Sequence, residues 1–314
     1  NQCRRAMSLN GGRWQFAFFD REPHALFGED VKTRNAIILR REGPHDPPRG
    51  TRALIETGPL MKWTSRTRCR LFSEIRYTPL GRYPVDGGIP KLRGEDQARA
   101  FAVLAGQKYS LKAAWQQAWS CDLAEACGEA SNPSVYVAGT AYNFLNLFRR
   151  LDPCPQVAYP LSKSPVLCLE FASETLAEIA FAIIGSRLTH WLWHVLCDGF
   201  HVPMWFVGGI PFGAASFEPP HVAQLAACGR QLWRAVQRDK VICINGGRKT
   251  VAYRPLSCQA ERDAIDEILV DAIRLPMSLT RELRDFERQT VLVDQDDQRR
   301  SHLRRFFEQD GDEG

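Results

Sequence analysis

Between Arg13 and Arg40 the chain reads RWQFAFFDREPHALFGEDVKTRNAIILR, two apolar segments around a polar excursion. Trp14, Phe16 and Phe18 alternate at period two, which predicts a strand with one covered face. Ala36, Ile37, Ile38 and Leu39 follow one another without a polar break, which predicts a strand buried on both faces. The excursion holds Ala25-Leu26-Phe27-Gly28, with one aromatic residue at the centre of a polar stretch. Arg41–Gly50 (REGPHDPPRG) is a Pro- and Gly-rich connector of the kind that leaves a sheet. In the segment that follows, Arg66, Arg68 and Arg70 recur at period two, which would set three guanidinium groups on one side of an extended chain. Pro84–Pro90 (PVDGGIP) breaks the pattern again and marks a domain boundary, with a helical period after it from about Glu95 to Ala105.

From Gln107 the pattern changes to aromatic, alternating pieces, YSLKAAW, VYVAGTAYNFLNLF and VLCLEF, separated by Ser-, Asn- and Pro-rich turns. These predict a second, strand-bearing domain. Ser173 is placed to cap one long helix running to about Cys197, and another amphipathic helix covers about His221–Arg238. Val241–Ile244 and Val251–Tyr253 frame Asn245-Gly246-Gly247 as a hairpin whose tip carries Arg248 and Lys249. Gln259–Phe307 is helical by pattern, with Pro276 breaking it. The expected fold class is therefore α/β, with a sheet-bearing segment over 1–83, a mixed α/β domain over 84–258 and a helical tail over 259–314.

Composition narrows this picture. A chain of 314 residues with 44% hydrophobic and 25% charged residues can bury two cores and is not generally disordered. Its formal charge of +5 is unevenly placed: residues 1–70 hold 14 Lys/Arg against 7 Asp/Glu, whereas 261–314 hold 9 against 15. A polyanion would sit on the basic half. Ten cysteines are scattered with no Cys-x-x-Cys, which suits reduced thiols and a cytoplasmic protein better than a disulfide framework. The longest apolar stretch, Leu176–Cys197, is interrupted by Glu178, Arg187, His190 and His194 and reads as a buried helix, with no membrane partner expected. The first residues, Asn1-Gln2-Cys3-Arg4-Arg5, lack a signal-peptide core, and an Asn start suggests a piece of a longer polypeptide.

His190, His194, Cys197 and His201 fall at i, i+4, i+7 and i+11, the strongest metal-like pattern in the chain. On one continuous helix they would span roughly 16 Å, too far for four ligands to converge on zinc at about 2.0–2.3 Å. A buried aromatic helix carrying Trp191 and Trp193 explains them better, and no metal is expected.

The Arg13–Arg40 hairpin resembles the last sheet hairpin of adenine-specific DNA methyltransferases that methylate an amino group. Ile183-Ile184-Gly185-Ser186-Arg187, His190-Trp191-Leu192-Trp193 and Asp198-Gly199-Phe200-His201-Val202 resemble, in fused type IIG restriction–modification enzymes, a long aromatic helix ending in an Asp-Gly turn. Ile265-Asp266-Glu267-Ile268 with Leu275 resembles their closing helical stretch, so the likeness loosely covers most of the chain. It implies methyl transfer from S-adenosylmethionine to adenine in double-stranded DNA, with the second half as target recognition region. By the same resemblance Phe27 would stack on the flipped adenine, and Lys32 and Arg34 would hold flanking phosphates. Arg66, Arg68, Arg70, Arg248 and Lys249 would meet phosphates or guanine edges.

The departures are specific. The family's catalytic tetrapeptide, Asn/Asp/Ser-Pro-Pro-aromatic, does not occur: Asn132-Pro133-Ser134 fails at its third position, and Asp46-Pro47-Pro48-Arg49 ends in Arg and lies after the hairpin. A Gly-rich donor loop has no room before Arg13, and Gly208-Gly209 sits in the wrong context, a Pro-rich turn after a helix. The expectation is a remnant of the methyltransferase sheet joined to a DNA-recognition domain, without catalytic residues and without bound S-adenosylmethionine of its own. It would work with an N-terminal catalytic half or a catalytic partner subunit; the alternative is a non-catalytic DNA-specificity subunit.

Overall fold

The computed structural model describes residues 7, 9–21, 24–27, 33–64, 66–80, 88–123, 126, 132–141, 144–149, 163–245, 248–253 and 255–292. Among them it is a mixed α/β protein with two four-stranded sheets, one two-stranded hairpin and seven α-helices. The chain divides into two compact units: the described residues of 1–99 with His194–Leu196 and 285–292, and those of 100–193 with 197–284. It passes between them inside helices α1 (Gly94–Ala105), α3 (Arg187–Leu196) and α7 (Ser278–Glu287). The boundary expected at 83/84 lies outside the described residues, and the first part of the expected tail, up to Arg284, belongs to the second unit.

In the first unit the strand order is β2-β1-β3-β4. The central strand β1 (Arg13–Phe19) pairs antiparallel with β2 (Asn35–Arg41) and parallel with β3 (Leu54–Met61), which in turn pairs with β4 (Thr78–Pro79). A central strand is covered on both faces, and β1 has the residues for it. Phe16 packs with Ile55, Trp14 and Phe18 on one side, and Ala17 and Phe19 join Leu26, Met61, Trp63 and Leu71 on the other.

The expectation of full burial for Ala36–Leu39 is corrected: β2 is an edge strand, with Ile38 43% and Leu39 48% exposed. An apolar run reports that both faces can be covered. It carries no information on how many neighbours the strand has.

The connector that contains Asp46-Pro47-Pro48 is a brace at the start of β1. Gly12 N–H donates to the Pro47 carbonyl at 2.7 Å, Thr51 N–H to the Pro48 carbonyl at 3.1 Å, and Asp46 accepts from Arg13 Nε at 3.3 Å. Gly11 lies at φ +59°, where a Cβ would stand 2.1 Å from the Pro48 oxygen, so this close approach requires glycine.

The second unit carries an antiparallel sheet in the order β5 (Trp115–Asp122), β8 (Pro165–Phe171), β6 (Ser134–Ala138), β7 (Leu147–Phe148). Helix α2 (Glu174–Gly185) packs on this sheet and against α5 (Pro219–Arg238), which meets α6 (Gln259–Ile273); the short α4 covers Met204–Gly208. The expected hairpin is present as β9 (Val241–Asn245) and β10 (Arg248–Ala252) in antiparallel register.

One expected helix is two. Ser173 caps α2 as anticipated, accepting from Leu176 N–H, but Ser186 leaves helical geometry at ψ 155° and separates α2 from α3. Its hydroxyl donates to the Ile183 carbonyl at 2.7 Å and accepts from Thr189 N–H at 3.0 Å. The buried Asp266 carboxylate accepts from the backbone N–H of Arg187 and Leu188 and meets the Arg187 guanidinium at 3.0 Å. The new helix start is thereby satisfied by partners remote in sequence. Apolar periodicity runs straight through Ser186, which hides the break from a sequence reading. Among the described residues no helix is long and apolar enough to cross a membrane.

Candidate nucleic-acid interface

The excursion between β1 and β2 starts from a charge placed in the core. Asp20, directly after Phe19, has a fully buried side chain. Its Oδ1 accepts Arg21 N–H at 2.7 Å and faces Arg34 Nε at 3.0 Å, while Lys62 Nζ lies 3.7 Å from Oδ2. A buried carboxylate needs such partners, and two cations from different parts of the chain supply them.

Further along, Leu26 is buried among Phe19, Met61, Trp63 and Leu71, and the next residue, Phe27, sits in a turn 67% exposed. One side chain fixes the turn and its neighbour is presented to solvent. Phe27 is thus not part of the core.

Arg66, Arg68 and Arg70 are all exposed, but the extended segment expected for them is corrected to a turn leading into a 3-10 turn over Arg68–Arg70. Thr67 Oγ1 accepts from Thr64 N–H at 3.0 Å, an alternative to strand pairing that short hydroxyl side chains offer the backbone. In a 3-10 turn successive side chains are about 120° apart, so Arg68 and Arg70, two residues apart, do not share one face. Arg68 Nη2 reaches the Leu26 carbonyl at 3.5 Å, and Arg70 pairs with Glu74 at 3.5 Å. Among the described residues no carboxylate pairs with Arg66 or Arg68.

Phe72 was not singled out by pattern. It is 61% exposed and meets the ring of Phe19 edge-on, with centroids 5.9 Å apart, while Leu71 before it is buried in the same cluster as Leu26. The available signal was the repeated dipeptide: Leu71-Phe72 copies Leu26-Phe27, anchor then display.

The remaining expected contacts are placed differently. Arg34, expected to hold a phosphate, is 18% exposed and directed at Asp20. Lys32 and the side chain of Lys249 lie outside the described residues, and Arg248 is exposed in β10 of the second unit. The His190–His201 row is dispersed. His190 and His194 are buried in α3, Cys197 caps its end, and His201 is exposed with Nδ1 2.6 Å from Asp198 Oδ2. Burial pushes the Asp198 carboxyl up, but hydrogen bonds from the His201 ring and from the backbone N–H of Phe200 and His201 outweigh it and hold the group below its ordinary value. Among the described residues no three His, Cys, Asp or Glu side chains are arranged to hold a metal.

Asn132 donates to Glu170 Oε2 at 3.3 Å, occupied at the entry to β6. Gly208 and Gly209 make close packing at the end of α4: Cβ atoms there would stand 2.8 Å from the Trp115 ring and 2.8 Å from the Trp205 carbonyl. No protein-family model, curated protein or solved structure matches the chain.

Proposed function

We propose that this chain is the DNA-recognition part of an adenine-specific DNA methyltransferase of the fused type IIG restriction–modification class. In this reading it contacts double-stranded DNA, and S-adenosylmethionine is held by an N-terminal catalytic half or a partner subunit. The observation that carries it is that Arg68 reaches the Leu26 carbonyl in the turn that displays Phe27. Far apart in sequence, an exposed guanidinium and the anchored turn of an exposed ring are joined through that carbonyl. A flat apolar face suits a base rotated out of its stack, and adjacent positive charge suits the phosphates on either side. Phe27 stacks on the extruded adenine, while Arg66, Arg68 and Arg70 neutralise backbone charge.

Gly208 and Gly209, at the end of α4, pack against the Trp115 ring and the Trp205 carbonyl, which supports a donor held elsewhere. No step of methyl transfer is assigned to this chain. The same observation gives weight to the second reading, a non-catalytic specificity subunit.

The test is duplex binding by the whole chain over a range of salt. Binding should weaken steeply with salt, and changing Arg66, Arg68 and Arg70 together to Ala should reduce the log–log slope by about 0.9 for each phosphate that is no longer neutralised. Identical affinity and slope in the triple variant would remove this surface from the interface. Incubation with labelled S-adenosylmethionine and mixed duplexes should leave the DNA unlabelled.

A further inference from the structure

We propose that Phe72 is a second base-contacting residue, so that the first unit takes a nucleic-acid strand with two unstacked bases, one at Phe27 and one at Phe72. The proposal rests on the nucleic-acid reading of the Phe27 surface and adds a residue and a ligand class to it.

Leaving a phenylalanine in water forgoes roughly 1.5–3 kcal/mol of burial, so 61% exposure of Phe72 beside a fully formed core is a cost the fold does not need. The ring is nonetheless held, by Leu71 in the core before it and by the Phe19 ring at 5.9 Å. Phe19 and Leu26 belong to the same buried cluster, so both displayed rings, Phe27 and Phe72, stand on one foundation.

The surroundings decide what such a ring meets. Arg66, Arg68 and Arg70 lie within six residues of Phe72 and are exposed, with only Arg70 paired to a carboxylate among the described residues. A partner must therefore combine regular negative charge with flat apolar faces. A duplex offers base faces only where bases are rotated out of the stack, and an acidic peptide has none in regular supply; an unstacked strand segment has both.

The experiment compares a short thymidine oligonucleotide with an abasic strand of the same length, by fluorescence anisotropy on the whole chain. Phe72→Ala should bind the thymidine strand about tenfold more weakly, in the range of one base–aromatic stack removed, and the abasic strand unchanged. Phe72→Trp should retain binding. Phe72→Leu, which keeps an apolar contact with Phe19 but has no flat ring, should lose it, with its melting midpoint close to the parent's to separate stacking from folding.

Equal losses on both strands, or none on either, would overturn the proposal. Loss on the thymidine strand with Phe27→Ala but not with Phe72→Ala would remove Phe72 and keep the Phe27 reading. Loss with Phe72→Ala alone would keep Phe72 and remove the Phe27 reading. Equal affinity of the parent chain for thymidine, abasic and polyglutamate polymers would mark a purely electrostatic surface and overturn both.

Discussion

Asp20 Oδ1 lies 3.0 Å from Arg34 Nε, and this contact joins the two ends of the excursion that presents Phe27. Lys62 stands on the other oxygen at 3.7 Å, so one buried carboxylate shares its single charge between two cations at the end of the central strand. Removing one member of such a group leaves the others uncompensated. Asp20→Ala is expected to destabilise the protein by about 3 kcal/mol, the lower end for a broken buried pair because Arg34 and Lys62 retain some access to water. Chemical denaturation of the two proteins measures it. A difference below about 1 kcal/mol would mean that the cations behave as exposed ones do.

Leu26 and Phe27 are adjacent and should respond oppositely. Leu26→Ala empties a place in the cluster of Phe19, Met61, Trp63 and Leu71 and is expected to cost about 2–5 kcal/mol. Phe27→Ala removes a ring that is 67% exposed and should shift stability by roughly 0.5 kcal/mol or less. Melting curves of both variants decide the matter, since a Phe27→Ala loss as large as that of Leu26→Ala would return the ring to the core and end its assignment to a base.

Helices α2 and α5 touch where α5 has no side chain. A Cβ on Gly229 would stand 2.1 Å from the Glu178 carbonyl oxygen, and that atom is backbone, which cannot swing aside. Gly229→Ala therefore has to push the helices apart, at about 1–3 kcal/mol or more by analogy with overpacked cores. Arg230, next in sequence, pairs with Glu178 at 2.6 Å and should lose that geometry as well. A variant as stable as the parent would show that the two helices can separate without loss.

Local pattern in the sequence located most of the elements: the two strands around Phe27, helix α1 from Gly94, the cap at Ser173 and the β9–β10 hairpin all follow from periodicity and turn chemistry. What it could not supply was set by partners distant in the chain. The break at Ser186 depends on Asp266, and the edge position of Ile38 and Leu39 on how many strands adjoin β2. The turn at Arg68 is local, set by Thr64 and Thr67, and the period-two arginines mask it. In the candidate site, Phe27 was legible as an aromatic in a polar loop. Asp20 was not, because a buried clamp is indistinguishable in sequence from a strand-ending acid, and Phe72 was legible only through the repeated Leu-Phe dipeptide.

The last prediction concerns alkaline pH. Cys168 and Tyr136 are register partners in β8 and β6, both buried in the sheet. Burial pushes the Cys168 thiol from its ordinary 9.0 up to about 12. Burial also raises the Tyr136 phenol above its ordinary value of 10.0, and the neighbouring Cys168 adds to that rise. Both groups have folded values above their unfolded ones, so their contribution to stability is whole below about pH 9 and is lost as pH rises. In that range the unfolded chain releases protons that the native state retains. For the thiol the window runs from 9.0 to about 12, with a slope approaching ~1.4 kcal/mol per pH unit. Denaturation midpoints of the parent should fall across this window, and those of Cys168→Ala should fall less steeply from a lower starting point. The decline should not vanish, because Cys228 and Cys258 are also raised by burial. Parallel pH profiles for the two proteins would show that the Cys168 thiol ionises as freely in the native sheet as in the unfolded chain.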